Sequence, residues 1–453
     1  MRISPAVLQS PTRLSVAGFA TLILFGTALL MLPPASTTEN LGFVDALFTA
    51  TSASCVTGLV VTDTGEEFTT FGQLTILGLI QVGGLGIMTL STLFLLMARR
   101  RPSLAGRVIV QDMFTQGGDR KLSAILREVT LFSLVIEGLG MALIFFRFLP
   151  ENGAIEAFYL SAFHAISAFC NAGFSLFSES FVAYREDWLL NLVICLLIIL
   201  GGIGFPVLSE IKRNFPFNDQ TWFRLSLHSK LVLSTTVTLL LFGTLLMFLM
   251  EMHNTLSDLS LPGHILAAFF QAVSARTAGF NTISIGNLAN ETLFVLILLM
   301  FVGGSPGSCA GGIKTTTLAC LVVLGISRLR GQARPQLFRR TIAEANVGKA
   351  ISVVMVSLVV VVTGTMILLM TEIGDVAHPL SRGKFLEFFF EVISAFGTVG
   401  LSTGVTGDLT TVGKLVLTVV MLLGRLGPLV VAMAVSYPVA PHYHYAEEKI
   451  MIG

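Results

Sequence analysis

Charge is what this sequence has least of. Charged side chains occupy 12% of its 453 positions, about half the roughly 25% usual in soluble domains, so water is not the solvent for most of the chain. The charge that is present nearly cancels: 28 basic against 27 acidic residues leave +1, which argues against a nucleic-acid partner and against an acidic tail. Five cysteines (Cys55, Cys170, Cys195, Cys309 and Cys320) sit in apolar surroundings. They have neither zinc-ligand spacing nor the pattern of a secreted disulfide framework, and read as small packing residues. No cleavable leader is evident, and the first apolar run is expected to be a retained helix. The first apolar run, residues 14–32, is long enough to span a bilayer, follows Arg2 and Arg13, and lacks a convincing cleavage site. No nucleophile–base set, metal cluster or soluble domain stands out, which sets aside a membrane enzyme.

What is abundant is apolar sequence, 53% of the chain, and it is organised by repetition. Four segments share one phase: Phe48…Ser52-Ala53…Gly58-Leu59, Phe163…Ser167-Ala168…Gly173-Phe174, Phe270…Ser274-Ala275…Gly279-Phe280 and Phe390…Ser394-Ala395…Gly400-Leu401. Each has a polar residue directly after the Phe, and the third copy is one residue shorter before its Gly. A second pattern follows: Val82-Gly83-Gly84-Leu85-Gly86, Leu200-Gly201-Gly202-Ile203-Gly204, Val302-Gly303-Gly304-Ser305-Pro306 and Leu423-Gly424-Arg425-Leu426-Gly427. Each lies midway along an apolar run, and a further run precedes each first pattern, at 14–32, 129–149, 231–250 and 351–370.

The expected fold is therefore an all-α membrane protein of four tandem span–pore loop–span repeats around a pseudo-fourfold pore, with eight spans and four re-entrant pore helices. The repeats divide as 1–98, 99–212, 213–330 with a broken gate helix, and 331–453 with a C-terminal tail. Glycines can also serve close helix packing, and repeats occur in secondary transporters. Four same-sense copies favour a single axis over inverted halves.

Basic residues follow the second spans: Arg99, Arg100, Arg101, Arg107, Arg120 and Lys121; then Lys212, Arg213, Arg224 and Lys230; then Arg328, Arg330, Arg334, Arg339, Arg340 and Lys349. The opposite loops lean acidic, with Glu39, Asp63, Glu66, Glu67, Glu151, Glu156, Glu186, Asp187, Asp258 and Asp375. The positive-inside bias then puts both termini in the cytoplasm and brings the pore loops in from outside, where acidic mouths concentrate cations.

An ion entering the membrane must exchange hydration water for other oxygens. Non-helical backbone is tolerated at that depth where it lines a cavity, and glycine allows the positive φ that turns carbonyls toward one axis. Val56-Thr57-Gly58, Asn171-Ala172-Gly173, Thr277-Ala278-Gly279 and Thr398-Val399-Gly400 would supply four such strands, a carbonyl-ring filter. Each pore helix would aim its negative end at the cation. The polar residues Thr49, His164, Gln271 and Glu391 share one helix position and suggest a buried ring of hydrogen bonds holding the loops. Arg276 beside the third strand is expected to point away and pair with a carboxylate.

Two gate candidates lie below. Arg425 replaces the second glycine of its pattern. A unit charge about 5 Å from a passing cation opposes it by roughly 3 kcal/mol at an effective dielectric near 20. The third copy continues Gly303-Gly304-Ser305-Pro306-Gly307-Ser308-Cys309-Ala310-Gly311-Gly312-Ile313-Lys314. That run cannot stay helical, so the span is expected to break around a mobile loop under the filter. A phosphate loop is excluded: Ile313 separates Gly312 from Lys314, and no strand precedes it.

These motifs resemble the Trk/Ktr/HKT superfamily of potassium transporters, most nearly the bacterial Ktr membrane subunit, because the first span begins too early for the extra N-terminal spans of Trk subunits. The resemblance implies Gly58, Gly173, Gly279 and Gly400 as filter glycines, with potassium favoured because sodium-preferring plant relatives carry Ser at the first. It implies a homodimer with one pore per protomer, embedded in membrane lipid. It also implies a cytosolic RCK-type ring of regulatory subunits that binds ATP or ADP on the basic face. No cofactor is expected in the chain beyond the permeating K+, with Na+ as a candidate activator. The tail residues 442–449 could reach a neighbour. Passive gated uptake is the leading expectation. A sodium- or proton-coupled symporter is the alternative, with Glu137 and His164 as its candidate residues.

Overall fold

The computed structural model describes residues 11–37, 41–86, 122–216, 221–332, 334–374 and 376–427. Arg2, Glu39, Arg99, Arg100, Arg101, Arg107, Arg120, Lys121, Asp375 and tail residues 442–449 lie outside these. The first copy supplies α1 (Pro11–Leu30), α2 (Phe43–Ser54) and α3 (Thr70–Gly84); the second α4 (Leu122–Phe169), α5 (Trp188–Ile203) and α6 (Phe205–Arg213). The third supplies α7 (Leu227–Glu251), α8 (Leu261–Ser274), α9 (Asn290–Phe301) and α10 (Thr315–Leu329). A hairpin pairing Gln336–Leu337 with Arg340–Thr341 leads to α11 (Glu344–Leu368), α12 (Lys384–Gly397) and α13 (Thr411–Leu426). α4 is two helices in one: Gly153, at φ 71° and ψ 169°, kinks it into a long arm and a short one.

The first apolar run of each copy forms a helix close to its expected bounds. Within the described residues, the second runs of the second and third copies are broken. Arg127–Phe169, Leu227–Glu251 and Glu344–Ile373 are long and apolar enough to cross a membrane, and α5 with α6 makes a fourth stretch bent by 97°. The sequence predicts a break in the third copy alone, yet the second breaks too, at Gly204 with φ 96°. α3 and α13 stop beside the matching Gly86 and Gly427, at φ 85° and 84°. A left-handed residue does not propagate a right-handed helix, so α5 and α13 end directly before their fifth-position glycines, while α3 already ends at Gly84.

One packing rule recurs. α3 packs on α4, α5 on α8, α9 on α12, and α13 returns to α2. The second helix of each copy thus meets the short-helix element of the next, and the fourth closes on the first. Lys414 of α13 and Asp45 of α2 form an ion pair across that closure at 2.7 Å. The motif residues Phe48, Phe163, Phe270 and Phe390 are all fully buried. Conversely, Phe146, Leu241 and Met370 are 68–71% exposed on the long first helices, a cost in water that disappears against lipid chains.

The connection between the long helix and the second helix is tied in every copy. Glu251 accepts from the Ala289 amide at 3.0 Å, and Glu372 accepts from the Thr410 amide at 3.0 Å. These are the N-cap residues of α9 and α13, each 38 positions further on. In the second copy Arg147 pairs with Asp187, the N-cap of α5. In the first, Thr69 caps α3 and donates its amide to Ala35 O at 3.1 Å. The three backbone bonds answer donors left free at a helix start, and the Arg147–Asp187 pair holds the α5 N-cap residue from its side chain.

Candidate functional site

Each short helix ends in the same backbone figure. Val56, Asn171, Thr277 and Thr398 have φ of 56°, 58°, 75° and 51°, and two residues later Gly58, Gly173, Gly279 and Gly400 have φ of 91°, 72°, 79° and 92°. Thr57, Ala172, Ala278 and Val399 between them are not left-handed. A left-handed residue on either side of an ordinary one turns the intervening carbonyls to one side. Each non-glycine left-handed residue costs on the order of 1–2 kcal/mol, so something must hold it there.

The motif serine does part of that. Ser52 and Ser394 Oγ accept from the Gly58 and Gly400 amides at 3.1 Å. Ser167 Oγ donates to Phe174 O at 2.7 Å, and Ser274 Oγ donates to Phe280 O. The serine backbone repeats more strictly: its carbonyl accepts from Thr57, Ala172, Ala278 and Val399, the residue before each glycine, at 2.8–2.9 Å. The third copy's missing residue is absorbed inside this turn, which closes over four residues instead of five.

The four strands face one another in cyclic order. A Cβ added at Gly58 would lie 2.5 Å from Ala172 O, at Gly173 2.8 Å from Ala278 O, and at Gly279 2.5 Å from Val399 O; at Gly400 it would collide with Thr57 O. These positions therefore need glycine twice over, for φ and for space. Above them opens a cavity of about 310 Å³ lined by all four glycines. Its two charged lining residues are acidic, Asp63 and Glu179. Of the acids expected around a mouth, Asp63 is there; Glu151 and Asp187 are engaged by Arg147, and Glu186 accepts from Ser260.

Residues Thr49, His164, Gln271 and Glu391 do not form a connected ring. His164 and Glu391 instead clamp the loop that follows their own strand. His164 Nε2 meets Ser175 Oγ at 3.1 Å and accepts from the Leu176 amide, while Glu391 accepts from Ser402, Thr403 and Thr406. Thr49 Oγ1 and both Gln271 side-chain polar atoms have no partner among the described residues. Arg276 also departs from expectation: it donates to Gly303 O at 3.4 Å, a backbone carbonyl and not a carboxylate.

Beneath the strands, the first glycine of the second pattern meets the end of the short helix. Cβ atoms on Gly83, Gly201 and Gly424 would overlap Ser54 O, Phe169 O and Phe396 O. Close packing is thus the use of these glycines, whereas the strand glycines serve conformation as well as space. In the third copy Gly303 faces Gly311 O instead, because the segment 302–314 folds back on itself. Gly303 donates to Ile313 O at 2.8 Å and Thr315 to Gly304 O at 3.0 Å, and Ser305 Oγ meets Thr315 Oγ1 at 2.9 Å. Ser308 Oγ donates to Ser305 O at 2.6 Å and Lys314 Nζ to Ala310 O at 2.7 Å.

This loop uses the end of α5 as its anchor. The bend at Gly204 leaves the last carbonyls of α5 unpaired; Ser305 N donates to Gly202 O at 2.9 Å and Cys309 N to Gly201 O at 3.1 Å. In return Phe205 N donates to Gly307 O at 3.1 Å, and Pro306 O abuts Gly204. Overhead, Gly311 and Gly312 lie against Thr398 and Gly397 of the fourth strand, and Gly303 against Thr277 of the third. The segment expected to be mobile is, in this conformation, tied down under the strands. Arg425 crosses the same space, donating to Cys309 O and to Gly83 O. It has carbonyl partners and joins the first, third and fourth copies.

Sequence reasoning missed the left-handed residues two before each glycine, since Val and Thr carry no such signal and Asn, which does favour that region, stands in the second copy alone. It also missed the serine bonds, although the fourfold recurrence of Ser-Ala pointed to them.

The family described as TrkH, cation transport protein, matches residues 11–444. The Ktr system potassium uptake protein B of Bacillus subtilis (strain 168) is 40% identical over 446 residues, covering 98% of this chain and 97% of that one. The protein of that description in Vibrio alginolyticus is 37% identical, covering 95% and 92%. The potassium/sodium uptake protein NtpJ of Enterococcus hirae is 38% identical, covering 98% and 97%. Among solved structures, the potassium transporter TrkH from Vibrio parahaemolyticus superposes with a TM-score of 0.72 at 20% identity, covering 93% of this chain and 85% of that one, a likeness of fold. The chain belongs to the TrkH family of cation transport proteins.

Proposed function

We propose that this protein takes up potassium through a pore on the axis of its four repeats, with Val56, Thr57, Gly58, Asn171, Ala172, Gly173, Thr277, Ala278, Gly279, Thr398, Val399 and Gly400 as the selectivity filter. The observation that carries this reading is the ring of four left-handed–ordinary–glycine strands, each abutting the next strand's carbonyl. Such a ring replaces hydration oxygens with backbone oxygens, and Asp63 and Glu179 in the vestibule favour cations at its entrance. The names of the relatives, potassium uptake and potassium/sodium uptake, support the same ions.

The gate in this reading comprises Gly303, Gly304, Ser305, Pro306, Gly307, Ser308, Gly311, Gly312 and Lys314 of the loop, together with Arg425. The loop lies under two strands, and the guanidinium ties it to α3. The chain sits in the plasma membrane as eight spans and four re-entrant helices, termini inward, as one half of a homodimer. The basic residues after α6 and α10 face a cytosolic nucleotide-binding ring. The "Ktr system" in the relatives' names, which speaks of more than one component, supports a partner.

The test is rubidium uptake into proteoliposomes at a clamped potential, without sodium or proton gradients. Sustained uptake is expected, and none would defeat the channel reading. Coupling to sodium or protons has weaker support. Glu137 is held by Gln81 Nε2 at 3.1–3.2 Å and His164 by its own loop, contacts that local packing accounts for.

A further inference from the structure

Arg276 stands directly before Thr277, the left-handed first residue of the third strand. The other copies carry Cys55, Cys170 and Gly397 at that place, so the copy with the folded-back loop is also the copy with the arginine. Arg276 is 8% exposed and makes no ion pair among the described residues. A buried charge is costly unless something answers it. Among the described residues, its side chain makes one hydrogen bond, from Nη2 to Gly303 O at 3.4 Å. That carbonyl lies just past the end of α9, where a helix leaves its last acceptors unpaired and partly negative. Gly303 is also the neck of the loop: its amide donates to Ile313 O at 2.8 Å, and Val302 bridges Ile313 in parallel. Arg276 Nε and Thr236 Oγ1 have no partner among the described residues. Both residues line one cavity of about 10 Å³ between α5, α7 and α8, room for about one water. Water can answer Nε there, but the bond to protein is the one to the neck.

We propose that Arg276 is a positioning residue that fastens the third filter strand to the neck of the loop, so that the strand is set for potassium while the neck is closed. This rests on the reading of the strands as the filter and of the loop as the gate. The argument comes from what the third copy lacks. In the other three, the first glycine of the second pattern packs directly on the end of its short helix: Gly83 on Ser54 O, Gly201 on Phe169 O and Gly424 on Phe396 O. In the third, Gly303 faces Gly311 O instead, and that brace is gone. Arg276 restores the link to the same glycine with a hydrogen bond. Packing of a glycine on a carbonyl tolerates small rotations, whereas a hydrogen bond depends on where its acceptor points. Any change at the neck that moves Gly303 O therefore withdraws the acceptor from Arg276 and frees the adjoining Thr277, a left-handed residue that has to be held. The third strand is thereby made to respond to the loop, and the other three are not.

The full-length protein in proteoliposomes, with rubidium uptake followed at a clamped potential against rising sodium, tests this. Arg276→Gln should raise the rubidium needed for half-maximal uptake, and lower the sodium needed to halve it, by about tenfold, the weight of one hydrogen bond from a charged group. The maximal rate should change far less, a split that a general loss of packing would not produce. Arg276→Lys keeps a charged donor and should fall between the two; it carries the comparison if the Gln variant does not fold. Thr315→Val removes the 2.9 Å contact with Ser305 that helps close the neck. Its effect on sodium competition should be smaller in the Arg276→Gln background than alone, because both act through Gly303. Unchanged half-saturation, a fall in maximal rate alone, or additive effects in the double variant would each overturn the proposal. If the wild type shows no uptake, the transport reading fails on its own. Thermal stabilisation of the detergent-solubilised protein by potassium then decides: Arg276→Gln should need about tenfold more potassium for the same shift, and an equal requirement would overturn the proposal.

Discussion

The two faces of the strand ring are built on opposite rules. Above, all four copies agree: the same left-handed pair, the same serine, the same glycine against the next carbonyl. Below, they diverge at one position after another. The second glycine of the pattern is Gly84, Gly202 and Gly304 but then Arg425, and among the described residues the folded-back loop belongs to the third copy. An ion held on an axis needs equivalent oxygens from every side, so departures there are penalised. An obstacle needs only one copy to supply it. Symmetry marks where the proposed pore binds, and its loss marks where the proposed gate controls.

The largest effect should come from breaking the symmetric face. In Gly58→Ser, the side chain meets Ala172 O at 2.5 Å from a backbone at φ 91°. Potassium preference should collapse, seen as rubidium uptake that sodium competes with freely. Unaltered competition would remove Gly58 from the filter. Next, Arg425→Ala probes the asymmetric face. If the guanidinium opposes the ion by roughly 3 kcal/mol, basal uptake should rise by up to about a hundredfold; a stable variant with wild-type uptake would show that Arg425 is only a brace.

Ser394→Ala is milder. It leaves the Gly400 amide without its 3.1 Å acceptor, a loss of about 1–3 kcal/mol for a buried donor, and should loosen selectivity without abolishing uptake. The smallest change is Lys414→Ala. Its pair with Asp45 closes the ring but is partly solvent-exposed, so it should cost less than about 1 kcal/mol. A shift of more than a few degrees in thermal unfolding would show that closure depends on it.

The sequence was most readable where one requirement repeats. Four phased Phe…Ser-Ala…Gly segments located the strands and the short helices. The run of Gly and Pro after Val302 gave the broken helix, because no interior position of a helix accepts that composition. It was least readable where a residue's task depends on what faces it. Gly83 and Gly58 look alike as letters, yet one makes room for Ser54 O and the other adopts φ 91°. The break at Gly204 stayed hidden because α5 is otherwise an uninterrupted apolar run. Glu391 and His164 suggested a ring and proved to be clamps within single copies, since each can reach only the loop of its own repeat.

By itself, the sequence determined that this chain is apolar, fourfold repeated and interrupted at fixed glycines, because periodicity and backbone permissiveness belong to the letters. The tertiary structure decided which carbonyl faces which glycine, which helix end holds the loop, and that Arg425 links Gly83 to Cys309. Arg425 and Gly83 are 342 positions apart, and the closing of α13 onto α2 brings such distant groups within reach.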